Sequence, residues 1–221
     1  MCGRFVRAVS IEDIADEFEV DKPSFDLSPS YNIAPSQNIA IIMNDKKRSM
    51  ALCRWGLIPS WAKDPKIGYK MINARAETVA EKPSFRSSFK KHRILVPATG
   101  FYEWKKEGTS KVPFYIGLTS GNPFGFAGLL SVWISPEKKQ IYTCTIITTG
   151  ANDLLQEIHD RMPVIIQKKD EDLWLDPAGQ NTETLLSLLK PYPSHNMGSY
   201  AVSPMVNSPA NNSPECINKA E

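Results

Sequence analysis

Four side chains in this sequence have the types to do chemistry together: Cys2, Asn73, Glu103 and His159. Cys2 lies in the opening MCGRF, after the initiator Met and before a small residue, so loss of Met1 is expected. That loss would put an α-amine and a thiol on one residue. With reference pKa values of roughly 8 and 8.5, each is only partly nucleophilic at neutral pH. The pair can close a five-membered ring on an aldehyde: the amine forms an imine and the thiol adds to it. A cation such as Arg4 would favour the thiolate. Taken alone, the same residue is only a cysteine that stands second in the chain.

The other three each have two readings. Asn73, in MINARAET, can donate and accept, holding a sugar hydroxyl or the Cys2 amine, or it can cap a turn. Glu103, in GFYEW, is one acid among aromatics, and an apolar setting would raise its pKa into the range of a useful proton carrier. Strand alternation puts Phe101 and Glu103 on one face, so Glu103 could instead lie at the surface, paired with Lys105 or Arg93. His159 has the reference pKa for acid–base work and stands near a helix end, followed by Asp160 and Arg161, or it is structural.

Charge and aromatics point to a partner. Between Lys63 and Lys111 twelve Lys or Arg face five Asp or Glu, on a chain whose net charge is only +2. A basic middle suggests a local polyanion surface. Arg54, Trp61, Arg75, Phe85, Arg86 and Arg161 interleave cations with flat rings, the mixture a single-stranded nucleic acid groove uses. No P-loop, helix-turn-helix or RNP aromatic pair is present.

The elements that must position these residues are short. Ser10 with Asp13 is a helix start, followed by Ile11, Ile14, Ala15 and Phe18 at helical spacing. Residues 21–37 carry three prolines and are expected to be irregular. Asn38–Met43 and Ser49–Trp55 predict a hairpin across NDKKR. Residues 93–105 predict two strands broken between Pro97 and Gly100, with further strands at Phe114–Leu118, Phe124–Trp133 and Ile141–Thr148. Asn152 or Asp153 caps a helix that Pro163 is expected to end. A turn at Glu171–Leu175, a helix at Thr182–Leu189 and an irregular tail from about 203 complete the chain. Strands outnumber helices with no βαβ alternation, which predicts a single α+β domain over residues 1–221. Its mainly antiparallel sheets would curl into a barrel-like core. At 221 residues and 42% hydrophobic content the chain can bury one substantial core or two small ones. No apolar run approaches the roughly 20 residues of a membrane span, and no secretory signal is visible. Four dispersed cysteines suggest neither a zinc site nor a disulfide framework, and fit a reducing compartment.

Several stretches together resemble the SOS-response-associated peptidase (SRAP) family. They are MCGR (1–4), YNIAPSQ (31–37), RWGLIPSWA (54–62), NARAET (73–78), LVPATGFYEW (95–104), HDRMP (159–163) and AVSPMVNS (201–208). The resemblance implies a family-specific α+β fold and capture of abasic sites in single-stranded DNA. Cys2 matches the nucleophile, exposed by autocatalytic loss of Met1. Asn73, Glu103 and His159 match the family's polar active-site residues. Arg4, Trp61, Arg75, Phe85, Arg86, Thr148 and Arg161 match DNA-contact positions, and Pro35, Pro59 and Trp61 could form a wedge beside the lesion. The product would be a thiazolidine crosslink that shields the lesion, with weak lyase activity at the imine stage. No cofactor or metal is implied. A monomer in a bacterial or phage-related cytoplasm, on the nucleoid when DNA is bound, is the matching expectation, with protein partners unspecified. A thiol peptidase acting on other proteins, or a non-covalent single-strand-binding module, remain alternatives.

Overall fold

The computed structural model describes residues 2–178 and 181–220. Met1, and with it the expected processing step, lies outside the described residues. In chain order the first elements are β1 (Phe5–Arg7), α1 (Ile11–Glu17), β2 (Ser30–Ile33), β3 (Asn38–Asn44) and β4 (Arg48–Trp55). Next come β5 (Asn73–Arg75), α2 (Arg86–Lys91), β6 (Arg93–Ala98), β7 (Gly100–Glu107), β8 (Ser110–Leu118), β9 (Phe124–Ile134) and β10 (Gln140–Gly150). The chain ends with α3 (Asp153–Gln156), β11 (Arg161–Pro163), β12 (Ile165–Ile166), α4 (Glu171–Leu175), α5 (Thr182–Ser187) and β13 (Met197–Ala201).

Local signals explain most of these. Ser10 and Asp13 form a reciprocal capping box, worth about 1 kcal/mol, and α1 buries Ile11, Ile14 and Ala15. The polar NDKKR segment joins β3 to β4 in register from Asn38 opposite Arg54 to Asn44 opposite Arg48. One expected break holds and one moves. The 93–105 strands part at Thr99, within the expected Pro97–Gly100 interval, and its N–H bonds the carbonyl of Val6. Pro97 is tolerated inside β6 because β3 pairs with β6 only at Ile42 opposite Leu95. The α3 helix closes early through bonds from Ile158 and His159 to the Leu155 carbonyl, so Pro163 lies in β11 and ends no helix.

Five strands close on themselves. β10 pairs β4 in parallel, and β4–β3, β3–β6, β6–β9 and β9–β10 are antiparallel, so no edge is left in that ring. A second sheet runs β13-β8-β7-β1-β2. Between the two lie Phe5, Trp55, Phe101 and Phe126. Phe5 meets Trp55 at 5.3 Å and Phe126 at 5.9 Å, edge to face, and Phe101 meets Phe126 at 5.9 Å.

The segment after β13 has no long element, yet it is packed. Two 3₁₀ turns, Pro204–Asn207 and Pro214–Ile217, bury Val206 and Cys216 against Val6, Tyr102 and Val202. The Asn212 side-chain carbonyl accepts from Ser30 Oγ and from the amides of Tyr31 and Asn32. This clamp orders β2, which lies inside the 21–37 stretch whose prolines suggest irregularity. Among the described residues, no helix is long and apolar enough to cross a membrane.

Candidate active site and nucleic-acid face

Strand register brings the amino-terminal end to Glu103. In the β1–β7 pair Phe5 faces Phe101 and Val6 faces Gly100, and the Tyr102 amide bonds the Arg4 carbonyl at 3.0 Å. Continued toward the N-terminus, that register sets residues 2 and 3 alongside Glu103 and Trp104. Cys2 is fully buried, in the cluster that holds Phe5, Trp55, Ile146, Leu155 and Met162. Burial pushes its thiol well above the ordinary value, and the charge of Glu103 adds to this.

Glu103 is only 3% exposed. Alternation along β7 holds, but both faces are covered, since the tail packs over Tyr102 on the other side. The surface reading of Glu103 is thereby corrected. Arg93 is committed elsewhere, donating to the carbonyls of Phe89, Lys90, Trp174 and Asp176. Burial raises the Glu103 carboxyl above the usual carboxylate range, and the positive form of His159 pulls it back. Glu103 and His159, with Trp104, Lys111 and Asn207, line one open cleft of about 470 Å³.

His159 stands on the turn after α3. Its Nδ1 accepts from the Arg161 amide at 3.0 Å and lies 2.9 Å from Asp160 Oδ1. The two contacts suit opposite states: the amide wants a lone pair, the carboxylate a proton. A neutral ring satisfying Arg161 carries its proton on Nε2, and a protonated ring can turn its Nδ1–H to Asp160.

Parallel pairing of β5 to β10 sets Asn73 opposite Ile146 and Arg75 opposite Thr148, and β11 sets Arg161 opposite Gly150. Asn73 Nδ2 reaches the Ile146 carbonyl at 3.5 Å, and its buried Oδ1 has no hydrogen-bond partner among the described residues. A buried acceptor left open is costly unless a ligand's donor completes it. Arg161 forks onto both carboxylate oxygens of Glu77 and bonds the Thr148 carbonyl at 2.6 Å. Those bonds hold Glu77 below the usual carboxylate range.

The remaining positions separate into exposed and buried. Trp61 is 59% exposed, and Arg75 and Arg86 are exposed, while Pro35 is half-buried. Phe85 is buried with Leu57, Val79 and Phe89, and Thr148 is fully buried, so neither offers its side chain to a ligand as folded. Arg4 corrects a second expectation. Its guanidinium bonds Asn32 Oδ1 and the Val206 carbonyl, each at 2.6 Å, and lies over Trp104 at 5.9 Å. Only its carbonyl touches the Cys2 thiol, at 3.8 Å, so it does not act as the thiolate's counter-ion. Sequence reasoning missed Lys111, Trp104 and Asn207 as cleft walls. Asn207 tethers Trp104, accepting from Nε1 at 2.7 Å. Its place in AVSPMVNS was the available signal.

Residues 1–209 match the model of the SOS response associated peptidase (SRAP) family. The chain belongs to that family. It is 52% identical over 221 residues to the abasic site processing protein YoqW of Bacillus subtilis (strain 168), covering 98% of this chain and 99% of that one. It is 36% identical over 198 residues to the abasic site processing protein HMCES of Xenopus tropicalis, covering 79% of this chain and 58% of that longer one. A crystal structure of a Bacteroides thetaiotaomicron protein, 28% identical, superposes over the full length of both chains with a TM-score of 0.89. The SRAP fold is therefore the closed ring and second sheet described above, with Cys2 placed at their junction.

Proposed function

We propose that this SRAP protein captures abasic sites in single-stranded DNA as a covalent thiazolidine on Cys2, after Met1 has been removed autocatalytically. The open abasic sugar presents an aldehyde. The Cys2 amine adds to it and water leaves, giving an imine. The thiol then adds to the imine carbon, and the nitrogen takes the proton. Both nucleophiles shed protons in a buried setting. Glu103, with its raised pKa, accepts and returns them, and serves the Met1 cleavage in the same way. The raised thiol pKa suits this order, since the thiol keeps its proton until the neighbouring Glu103 carboxylate takes it, and the Arg4 guanidinium is held by Asn32 and Val206. His159 opens the sugar ring by proton transfer at the mouth of the cleft. Asn73 Oδ1 accepts from the amine or a sugar hydroxyl. Elimination of the 3′ phosphate from the imine gives a weak lyase activity, which ring closure by the thiol suppresses.

The observation that supports this reading is the nearness of buried Cys2 to Glu103, which lines one cleft with His159. The names of the relatives concern abasic sites, which agrees with an aldehyde as substrate. The test is mass spectrometry of purified protein incubated with a uracil-excised oligonucleotide. An adduct of protein plus strand minus one water, carried by the residue 2 peptide and absent in Cys2→Ala, is expected. An adduct that persists in Cys2→Ala, or none with the unaltered protein, sinks the proposal.

A further inference from the structure

We infer that the 56–72 loop holds a second stacking position, Tyr69 backed by Arg54, for an unpaired base of the strand whose lesion lies in the cleft. The inference rests on the proposed function and adds to it a binding position outside the cleft.

Tyr69 and Trp61, 60% and 59% exposed, are the most exposed of the large hydrophobic side chains among the described residues, and both lie on this loop. A single exposed ring needs no explanation, but these rings stand on a rigid support. The loop is pinched where Gly56 meets Gly68. A Cβ at Gly56 would lie 2.7 Å from the Gly68 carbonyl oxygen, and one at Gly68 would lie 2.8 Å from that of Gly56. Leu57 bonds the Met71 carbonyl, closing the base of the loop. Buried bonds fasten it to the barrel: Ile58 N–H to Thr143 Oγ1 at 2.9 Å, Ser131 Oγ to the Ile58 carbonyl at 2.8 Å, and Trp133 Nε1 to the Ala62 carbonyl at 2.7 Å. The rings are held out by ordered backbone, so little entropy is lost when a ligand docks.

The surroundings specify the ligand. The Arg54 guanidinium lies over the Tyr69 ring at 5.4 Å. Lys63, Lys66 and Lys70 line a shallow hollow with Trp61. The acid there, Asp64, accepts from the Lys66 amide at 2.9 Å. Flat rings among cations fit bases and phosphates, and stacking is indifferent to base identity. Tyr69 precedes Asn73 by four residues, at most about 14 Å of extended chain, so one strand reaches both places.

The test uses the full chain and single strands about ten nucleotides long that carry 2-aminopurine at successive positions from an abasic site. Quenching of the fluorophore at one flanking position is expected, lost in Tyr69→Ala and kept in Tyr69→Phe. Affinity should fall roughly tenfold in Tyr69→Ala, in line with the loss of one stacked base. Unchanged quenching and affinity in Tyr69→Ala overturn the inference, as does a Tyr69→Phe variant that fails like Tyr69→Ala. Adduct formation is followed separately by mass. Tyr69-dependent quenching with no adduct would remove the function reading and leave the stacking position standing.

Discussion

The cleft and the 56–72 loop treat charge in opposite ways. At the cleft and just behind it, burial raises the proton affinities of Glu103 and Cys2 above their ordinary values. On the loop, Lys63, Lys66 and Lys70 stand in water around a projecting ring. The difference separates two jobs. Proton transfer near neutrality needs groups whose charged forms are disfavoured, so it sits where water is excluded. Holding a polyanion needs charges that keep their protons and meet the ligand without a desolvation penalty. Changes in the cleft should therefore alter rates, and changes on the loop affinities.

The largest effect expected from that division is at Glu103. Glu103→Gln should slow adduct formation by about 10²-fold at saturating DNA. It should also remove a stability slope. A carboxyl whose folded pKa exceeds its unfolded one binds protons more tightly in the native state. Its presence therefore lowers stability as pH rises from the ordinary carboxyl range to the raised value, and the loss is constant above that. Urea melts of the two proteins at several pH values check this. The variant should be no less stable than the parent at pH 7, and a less stable variant would show that the carboxylate is held by compensating bonds rather than strained by burial.

A smaller effect tests the loop's rigidity. Gly68→Ala places a methyl against the Gly56 carbonyl, and overpacking of this kind costs about 1–3 kcal/mol. The denaturation midpoint should drop and strand affinity with it, while the rate at saturating DNA stays near the parent's. A proportional fall in that rate would merge the two regions into one.

The smallest effect concerns the border between them. Glu77 occupies Arg161 in the free protein and competes with phosphate for its fork. Glu77→Gln should tighten binding of undamaged single strands by about threefold at low salt, with less gain at high salt. Anisotropy titrations at two salt concentrations decide it, and weaker binding in the variant would mean that Glu77 orients Arg161 for the strand.

Local features carried into the fold wherever a signal and its partner lie close in sequence. The Ser10 box, the β3–β4 hairpin, the strands at Phe124–Trp133 and Ile141–Thr148 and the Asn152 cap are of this kind. The barrel-like core was legible from strand count, while its closure depends on the parallel β4–β10 pair, which no local pattern encodes. What escaped was non-local. The order of β2 comes from Asn212, and the cover on the Tyr102 face of β7 comes from a tail about a hundred residues downstream, while Glu103 on the opposite face is buried beside the amino-terminal segment. Phe85 and Arg86 are neighbours with opposite fates, one in the core and one in water, which composition cannot distinguish. Cys2, Asn73, Glu103 and His159 were singled out by type and by resemblance. The approach of Cys2 to Glu103 depends on the β1–β7 register and the placement of Asn73 on the β5–β10 register, both set by contacts far apart in sequence.

The hold of Val206 on Arg4 joins stretches 202 residues apart in the polypeptide. At roughly 5–20 residues per second, synthesis takes about 10 to 40 s to travel between them. Until then the amino-terminal strand lacks its fastening, and Tyr102 on β7 lacks its cover. The surroundings of Arg4 are therefore completed about two hundred residues after Arg4 itself is made.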